Sequence, residues 1–336
     1  MPLIIAANVA VGKSWAGIAT WIIGGLAAWV IVVYSALDLA GVVIASDVSQ
    51  QTRYAIDAGT IVTAVAASGF LLKPIRKDVS AVLPIDPDNP VHTLALILAV
   101  FVFGTQITTL AFVDVLALSQ AQPPLTVLDL LLDEGPFLLL GVVGVGIFIR
   151  RNLASTAQRL GFVVPAWWHI TLALAAAGVF FVVAQQLDVL SHIWTPQLAH
   201  RIDTTTQHVF GQLGGPVGIA AIGLLPGICE ELLFRGALQP RIGLVPTALL
   251  FTSIHTQYAL SLDNVAVLVI ALGLGVIRKY TNTTTSCACH VGYNLLVGIG
   301  LAGATLNAAI LVELALLGLT AYAIWSRTQT QSAGQP

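Results

Sequence analysis

The chain has 336 residues, of which 57% are hydrophobic and only 9% are Asp, Glu, Lys or Arg, and its formal net charge is -2 at pH 7. Because soluble domains usually carry about 25% charged residues, this composition excludes an ordinary soluble domain and indicates a polytopic membrane protein. It also lacks the basic patch that is typical of a nucleic-acid-binding protein. The three cysteines, Cys229, Cys287 and Cys289, all fall in apolar segments, so no disulfide framework is expected.

Apolar runs of roughly 17 to 25 residues are long enough to cross a bilayer as helices. The sequence contains about ten apolar runs, the eighth of them short, and we therefore predict an all-α, polytopic transmembrane helical bundle. A polar tail follows the last run and is predicted to be disordered. The predicted spans are residues 16–37, 54–72, 92–113, 128–149, 164–185, 216–238, 244–262, 265–277, 286–302 and 306–325.

The distribution of Lys and Arg predicts the orientation, because the cytoplasmic loops of membrane proteins are enriched in these residues. If the N-terminus is cytoplasmic, the outer loops contain only Arg53 and Arg201, and Arg235 lies within the sixth span. Every other Lys and Arg then lies on the inner side, so both termini are predicted to be cytoplasmic. A preference for Arg and Asp over Lys and Glu favours a prokaryotic source. We therefore expect an integral protein of a prokaryotic plasma membrane.

The most unusual segment is residues 229–236, which reads C-E-E-L-L-F-R-G within the sixth span. A charged side chain near the centre of a membrane helix costs roughly 2.5 to 3.5 kcal/mol on insertion scales, and such residues are usually functional. Glu231 and Arg235 are four residues apart and can pair on one helix face. Glu230 has no cation beside it and is the candidate general base. Pro226, four residues earlier, removes a backbone hydrogen bond and is expected to kink the helix.

Two further polar pairs lie in the apolar segments that follow. F-T-S-I-H in the seventh span places Phe251 four residues before His255, and H-V-G-Y-N in the ninth places His290 four residues before Asn294. At about 1.5 Å of rise per residue, Glu230 and both histidines fall in the cytoplasmic half of the membrane or near its midplane. We therefore expect one polar pocket that opens toward the cytoplasm.

In this order, the motifs E-E-x-x-x-R, F-x-x-x-H and H-x-x-x-N on successive apolar helices resemble the CPBP family. This family comprises CAAX proteases and bacteriocin-processing enzymes and is also called the Abi family. The flanking F-R-G-A-L-Q-P is similar to that family as well, and the resemblance covers about residues 216–303. It implies a CPBP-type protease core. The expected organisation is an N-terminal transmembrane region at 1–190, a polar connection at 191–215, the core at 216–326 and the disordered tail at 327–336.

The resemblance implies an intramembrane endopeptidase that hydrolyses a peptide bond in a cavity open to the cytoplasm. It implies that Glu230, together with His255, activates a water molecule. It also implies that His290 and Asn294 stabilise the oxyanion that forms when the water attacks. The supporting residues of this site are Glu231, Arg235 and Phe251.

A metal ion is an open alternative at the same residues. One carboxylate and two histidines are a plausible ligand set for a catalytic Zn²⁺ with an open fourth position, and here they would be Glu230, His255 and His290. However, Glu230 cannot easily be both a tight ligand and a free base, and the sequence lacks the H-E-x-x-H helix of many zinc proteases. The sequence therefore predicts a metalloprotease or a glutamic protease without choosing between them, and no other cofactor.

The expected partners are the lipid bilayer and a peptide or protein substrate, with no nucleic acid. A CAAX-like tail, a leader peptide and a membrane-protein segment all fit as substrates. Two other functions remain open. In a non-catalytic scaffold or a bacteriocin-immunity-like protein, the polar pairs would only hold helices together. A transporter with a titratable site is less favoured, because the polar groups concentrate in residues 230–294 and no internal repeat is visible.

Overall fold

The computed structural model describes residues 1–42, 49–301 and 303–333 of the chain. Within these ranges the regular structure is helical, and the one β-type pairing is an isolated bridge between Ile147 and Arg151. The all-α prediction is therefore confirmed. A helix satisfies its own backbone hydrogen bonds, which is the requirement that a bilayer imposes on an apolar chain.

The N-terminal part of the chain packs around small and apolar side chains. Its helices are α1 (Pro2–Ala10), α2 (Ala16–Leu39), α3 (Gln50–Ser68), α4 (Lys73–Ser80), α5 (Pro90–Phe112), α6 (Val115–Ala121), α7 (Val127–Gly144), α8 (Leu153–Leu160) and α9 (Trp167–Trp194). Ala7, Ala28 and Ile97 are almost fully buried in the cluster that joins α1, α2 and α5. The short helix α1 precedes the first predicted span and extends this cluster.

The segment predicted as a polar connection, residues 191–215, is mostly helical. Helix α9 extends to Trp194, and α10 (Pro196–Phe210) follows directly with a proline at its first position, where a missing N–H costs no helical hydrogen bond. Arg201 of α10 forms an ion pair with Asp114 at the start of α6, with 2.6 Å between Nη2 and Oδ1. The connection is therefore an ordered part of the bundle.

The C-terminal part contains the three motifs. Its helices are α11 (Pro216–Glu231), a π-helix (Leu232–Leu238), α12 (Gln239–Ile242), α13 (Leu244–Ser253), α14 (Leu262–Tyr280), α15 (Thr283–Ile299) and α16 (Gly303–Ala333). Helix α16 continues into residues 327–336, for which the sequence predicts disorder, and residues 334–336 lie outside the described residues.

Six helices are long and apolar enough to cross a membrane, in the part of the chain that the structure describes. They coincide with the first, second, third, fifth, sixth and tenth predicted spans. Together they make the chain an integral membrane protein with several crossings. The six candidate spans are Ala16–Leu39, Gln50–Leu71, Pro90–Phe112, Trp167–Trp194, Pro216–Ile242 and Thr305–Arg327.

The other four predicted spans are helical but differ from a full crossing. Helices α7 and α14 each carry three charged residues, and α15 has only 17 residues. The seventh span was predicted over 244–262, but α13 ends at Ser253 after ten residues. A short 3-10 turn, Thr256–Tyr258, follows it, and Ser261 then caps the start of α14. The core thus combines membrane-crossing helices with shorter apolar helices that pack against them.

Two glycines allow α11 and α15 to approach closely. Gly223 and Gly227 have the spacing by which membrane helices pack through small residues. A Cβ added at Gly227 would lie 2.6 Å from Cγ2 of Val291 and 2.9 Å from its backbone nitrogen. Because Gly227 is three residues before Glu230 and Val291 directly follows His290, this contact places the first and third motifs side by side.

Candidate active site

The backbone changes its hydrogen-bond register at the acidic pair. Helix α11 ends at Glu231, and the chain continues as the π-helix Leu232–Leu238. Such i→i+5 turns are rare and often occur at functional sites. The predicted pair nevertheless forms across the junction, because Nη1 of Arg235 lies 3.0 Å from Oε1 of Glu231. The sequence pattern predicted the contact but not the π-helix that accommodates it.

Glu231 is completely buried and lies at the centre of a polar cluster. Besides Arg235, its carboxylate accepts a hydrogen bond from Oγ of Ser286 and lies 3.2 Å from Nδ1 of His290. A buried carboxylate is tolerated when cations and donors satisfy its oxygens. These contacts therefore allow Glu231 to be buried in the bundle while it holds α15 against α11.

Arg235 connects the same cluster to two more helices. Its Nη2 donates a hydrogen bond of 3.1 Å to the carbonyl oxygen of Ala271 in α14. The guanidinium carbon also lies 4.3 Å from the ring centroid of Phe251 in α13, within the distance of a cation–π contact. Arg235 is only 1% exposed, so it acts as an internal link among α11, α13 and α14.

Glu230 differs from its neighbour in having an unsatisfied oxygen. It is 5% exposed, and its Oε2 has no hydrogen-bond partner among the described residues. Oε2 lies 4.0 Å from Nε2 of His290. This distance is too long for a direct hydrogen bond and is of the size that a bridging water spans. His290 therefore lies between the two glutamates, with one ring nitrogen toward each.

The three motifs meet around the ring of Phe251. Its centroid lies 4.6 Å from that of His255 and 6.0 Å from that of His290. The ring of Phe234 contacts the same side chain at 5.1 Å. Together with the cation–π contact to Arg235, these distances place all three predicted polar pairs in one region. Phe251 therefore forms a wall of this region.

His255 is oriented by the backbone. It lies two residues after the end of α13, and its Nδ1 lies 2.8 Å from the carbonyl oxygen of Phe251. A hydrogen bond donated from Nδ1 leaves Nε2 as the acceptor nitrogen of the neutral ring. Between the described side chains, Glu230 and His255 share no hydrogen bond or ion pair. The sequence analysis paired Glu230 with His255, whereas the histidine that the structure places beside the Glu230 carboxylate is His290.

Asn294 contacts the break that Pro226 makes in α11. Proline has no N–H, so the carbonyl of Ile222, four residues earlier, lacks its usual helical donor. Nδ2 of Asn294 donates to this carbonyl oxygen at 3.2 Å. The same amide makes no second hydrogen bond with the described residues, so its other N–H can donate to a ligand. Asn294 thus has a structural contact that the sequence analysis did not predict.

The candidate zinc ligands do not form a compact set. Glu230 and His290 have ligand atoms 4.0 Å apart, but the three residues Glu230, His255 and His290 do not bring their ligand atoms within 4.8 Å of one another. In the part of the chain that the structure describes, the group that meets this spacing is Asp188, His192 and Asp203, at the junction of α9 and α10. The side chains as placed therefore do not fit the zinc set that the sequence suggests.

Ser286 is the site residue that the sequence analysis missed. It is fully buried, donates to the Glu231 carboxylate and also lies 3.3 Å from the carbonyl oxygen of Leu274. The sequence does indicate that Ser286 belongs to the site, because it lies four residues before His290 and both side chains therefore share one face of α15. Three threonines directly precede Ser286 and made it inconspicuous, because hydroxyl side chains near a helix start more often bond to their own backbone.

Residues 213–296 match a family model described as type II CAAX prenyl endopeptidase Rce1-like. This segment is therefore similar to the Rce1-like family. It contains all three motifs, from Glu230 to Asn294, and so confirms the CPBP resemblance drawn from them. No curated protein and no solved structure matches the chain significantly. The Rce1-like match supports a membrane peptidase of the CAAX type in general.

Proposed function

We propose that the chain is an intramembrane endopeptidase in which Glu230 activates a water molecule for attack on a peptide bond. One observation carries the proposal: a buried, unpartnered carboxylate oxygen of Glu230 lies 4.0 Å from Nε2 of His290. The gap suits a water molecule held by both groups. The family match over residues 213–296 supports the same class of reaction.

In the proposed reaction, Glu230 acts first as a base and then as an acid. It takes one proton from the water, and the water oxygen attacks the carbonyl carbon of the substrate. When the C–N bond breaks, Glu230 returns the proton to the leaving nitrogen. The contacts of the neighbouring Glu231 with Arg235, Ser286 and His290 keep that second carboxylate occupied. Glu230 is therefore the carboxylate that is free to carry the proton.

His290 and Asn294 are proposed to stabilise the oxyanion. The contact of Nδ1 of His290 with Glu231 fixes the ring so that Nε2 faces Glu230. Nε2 can donate to the oxyanion when both ring nitrogens carry a proton, a form that the adjacent carboxylates favour. One amide N–H of Asn294 is used by Ile222, and the other can donate to the substrate oxygen. Donors that are held in place before the reaction stabilise such charge most effectively. The contacts of these two residues with α11 support this role.

His255 is proposed to position the attacking water. Its Nδ1 contact with the Phe251 carbonyl leaves Nε2 as an acceptor, which suits a bond from water better than a bond to an oxyanion. The substrate is a peptide or protein that reaches the site within the bilayer. By the name of the matching family, a prenylated CAAX-like tail is the first substrate to test, followed by a leader peptide and a membrane-protein segment.

The test compares purified wild type with Glu230→Gln in liposomes, using a farnesylated CAAX peptide and mass spectrometry of the products. We expect the variant to lose about 10²- to 10⁴-fold in kcat/KM, the usual contribution of a general base. The control is Glu313→Gln, which removes a partly buried carboxylate of α16 and should cleave like wild type. Equal cleavage by wild type and Glu230→Gln would overturn the role of Glu230, and no cleavage by either would favour a non-catalytic scaffold.

A further inference from the structure

A cavity of about 490 Å³ lies beside the candidate active site, and its lining is polar at one end and apolar at the other. Along α5, its wall begins at Asn89 and His92 and continues through Leu94 and Leu98 to Val102. At about 1.5 Å per residue, this wall is roughly 20 Å long. The cavity is therefore polar where α5 begins and apolar farther along the helix.

The other helices around the cavity have the same polarity. Phe137 and Leu140 of α7 line it before Arg150 and Arg151, which follow that helix, and Leu233 and Phe234 of the π-helix line it before Arg241 of α12. In both segments, apolar lining residues precede the arginines along the chain. A volume of this size is within the range of small-molecule sites, roughly 300 to 1,000 Å³.

Four arginines line the polar end: Arg150, Arg151, Arg159 and Arg241. Their hydrogen bonds go to uncharged oxygens. Nε of Arg150 donates to Oδ1 of Asn8 at 2.9 Å, and Arg159 donates to the carbonyl oxygen of Gly236 at 3.0 Å. Arg151 and Arg241 donate to backbone carbonyls.

None of these four arginines has a carboxylate within 4.0 Å among the described residues. Asp86 is the one acidic residue in the cavity lining, and its Oδ1 accepts from the backbone N–H of Asp88 at 2.9 Å. Burial, followed by the charges of Arg241 and Arg151, lowers the pKa of Arg159 to about 10. Among the described residues, the polar end therefore carries four arginines against one aspartate and has an excess of positive charge.

The cavity is distinct from the site where the three motifs meet. Glu230, His255, His290 and Asn294 do not line it. Phe234 lines the cavity on one side and packs against Phe251 on the other, with 5.1 Å between the ring centroids. This aromatic pair separates the two regions, so a molecule in the cavity would not occupy the position of the attacking water.

We propose that this cavity binds an anionic amphiphile, with its apolar chain along α5 and its phosphate head group among the four arginines. Arginine is suited to phosphate because its planar guanidinium donates two parallel hydrogen bonds. By the predicted orientation, all four arginines lie at the cytoplasmic surface, where anionic lipid head groups are found. An anionic phospholipid of the surrounding bilayer satisfies both requirements.

The test measures lipid retention on the purified full chain by native mass spectrometry. The protein is offered phosphatidylglycerol and phosphatidylcholine with the same acyl chains at equal concentration. We expect wild type to retain one phosphatidylglycerol with at least about tenfold preference. Arg150→Gln combined with Arg241→Gln should reduce that preference about tenfold, whereas Lys77→Gln, which removes an exposed charge elsewhere, should leave it unchanged. Equal retention of the two lipids by wild type would overturn the proposal.

Competition separates the two possible sources of phosphate. Dodecyl phosphate should displace the retained lipid, whereas inorganic phosphate and dodecyl maltoside at the same concentration should not. Displacement by inorganic phosphate alone would identify a free-phosphate site and overturn the amphiphile proposal. Ala99→Phe, which fills the apolar part of the cavity, should weaken retention without changing any charge. Glu230→Gln should retain the lipid normally, so this test is independent of the proposed protease activity.

Discussion

Nδ2 of Asn294 lies 3.2 Å from the carbonyl oxygen of Ile222, the carbonyl that Pro226 leaves without a helical donor. Asn294, which belongs to the third motif, thus supplies the hydrogen bond that Pro226, four residues before Glu230, cannot donate. The contact ties α15 to α11 beside the candidate active site. It also gives Asn294 two separable roles, one in structure and one in the proposed reaction.

A double-mutant cycle separates these two roles. Asn294→Ala should lower the free energy of unfolding by about 1 to 3 kcal/mol, because a buried carbonyl loses its donor. In a Pro226→Ala background the backbone N–H of residue 226 can supply that bond, so the same substitution should cost less. If Asn294 also stabilises the oxyanion, kcat should stay low in the double variant. Stability is followed by thermal unfolding in detergent and kcat by peptide cleavage.

Recovery of full activity together with stability in that double variant would assign Asn294 a structural role only. Equal loss of stability in the two backgrounds would contradict the proposed link between Asn294 and Pro226.

Ser286→Ala removes a hydroxyl that bonds to the buried Glu231 carboxylate. We expect a loss of about 1.5 to 3 kcal/mol in the free energy of unfolding, since hydrogen bonds to charged groups have this size. Cleavage should also fall, because Glu231 orients His290. The matched control is Ser253→Ala, whose buried hydroxyl bonds to the carbonyl of Leu250 at 2.8 Å. If both variants lose stability and activity to a similar extent, the hydrogen bond to Glu231 contributes no more than an ordinary buried hydrogen bond.

Gly227→Ala tests the close approach of α11 and α15. The added Cβ would lie 2.9 Å from the backbone nitrogen of Val291, and backbone cannot move aside as a flexible side chain can. The helices should separate, and kcat should fall while the protein remains in the membrane. Gly25→Ala in α2 is the control, because its added Cβ meets nothing within 4 Å. Wild-type activity of Gly227→Ala would show that the spacing of the two helices is not critical.

Chelation tests the zinc alternative. Because Glu230, His255 and His290 do not form a compact ligand set in the structure, we expect 1,10-phenanthroline to leave cleavage unchanged. Elemental analysis of the purified protein should find far less than one zinc per chain. About one bound zinc per chain that disappears in both His255→Ala and His290→Ala would contradict this expectation and favour the metalloprotease.

The sequence predicted part of the candidate site, because few polar side chains occur in apolar helices and their spacing is informative, but it did not predict ion pairs between distant segments such as Arg201–Asp114. The Glu231–Arg235 pair and the meeting of the two histidine motifs follow from this rule. The π-helix could not be predicted, since hydropathy does not report the register of backbone hydrogen bonds. The full length of the seventh span was also mispredicted, because apolar residues resume at Tyr258–Leu260 although the chain has already turned after Ser253.

The position of His290 between two glutamates has a consequence for proton balance. Its two ring nitrogens face carboxylates of different environments, one ion-paired with Arg235 and one unpartnered. A proton can therefore reside on Glu230 or on His290 without altering the total charge of this buried group of four residues. Water loses a proton and the leaving nitrogen gains one during hydrolysis, so the cluster can store that proton briefly without exchanging charge with the surrounding bilayer.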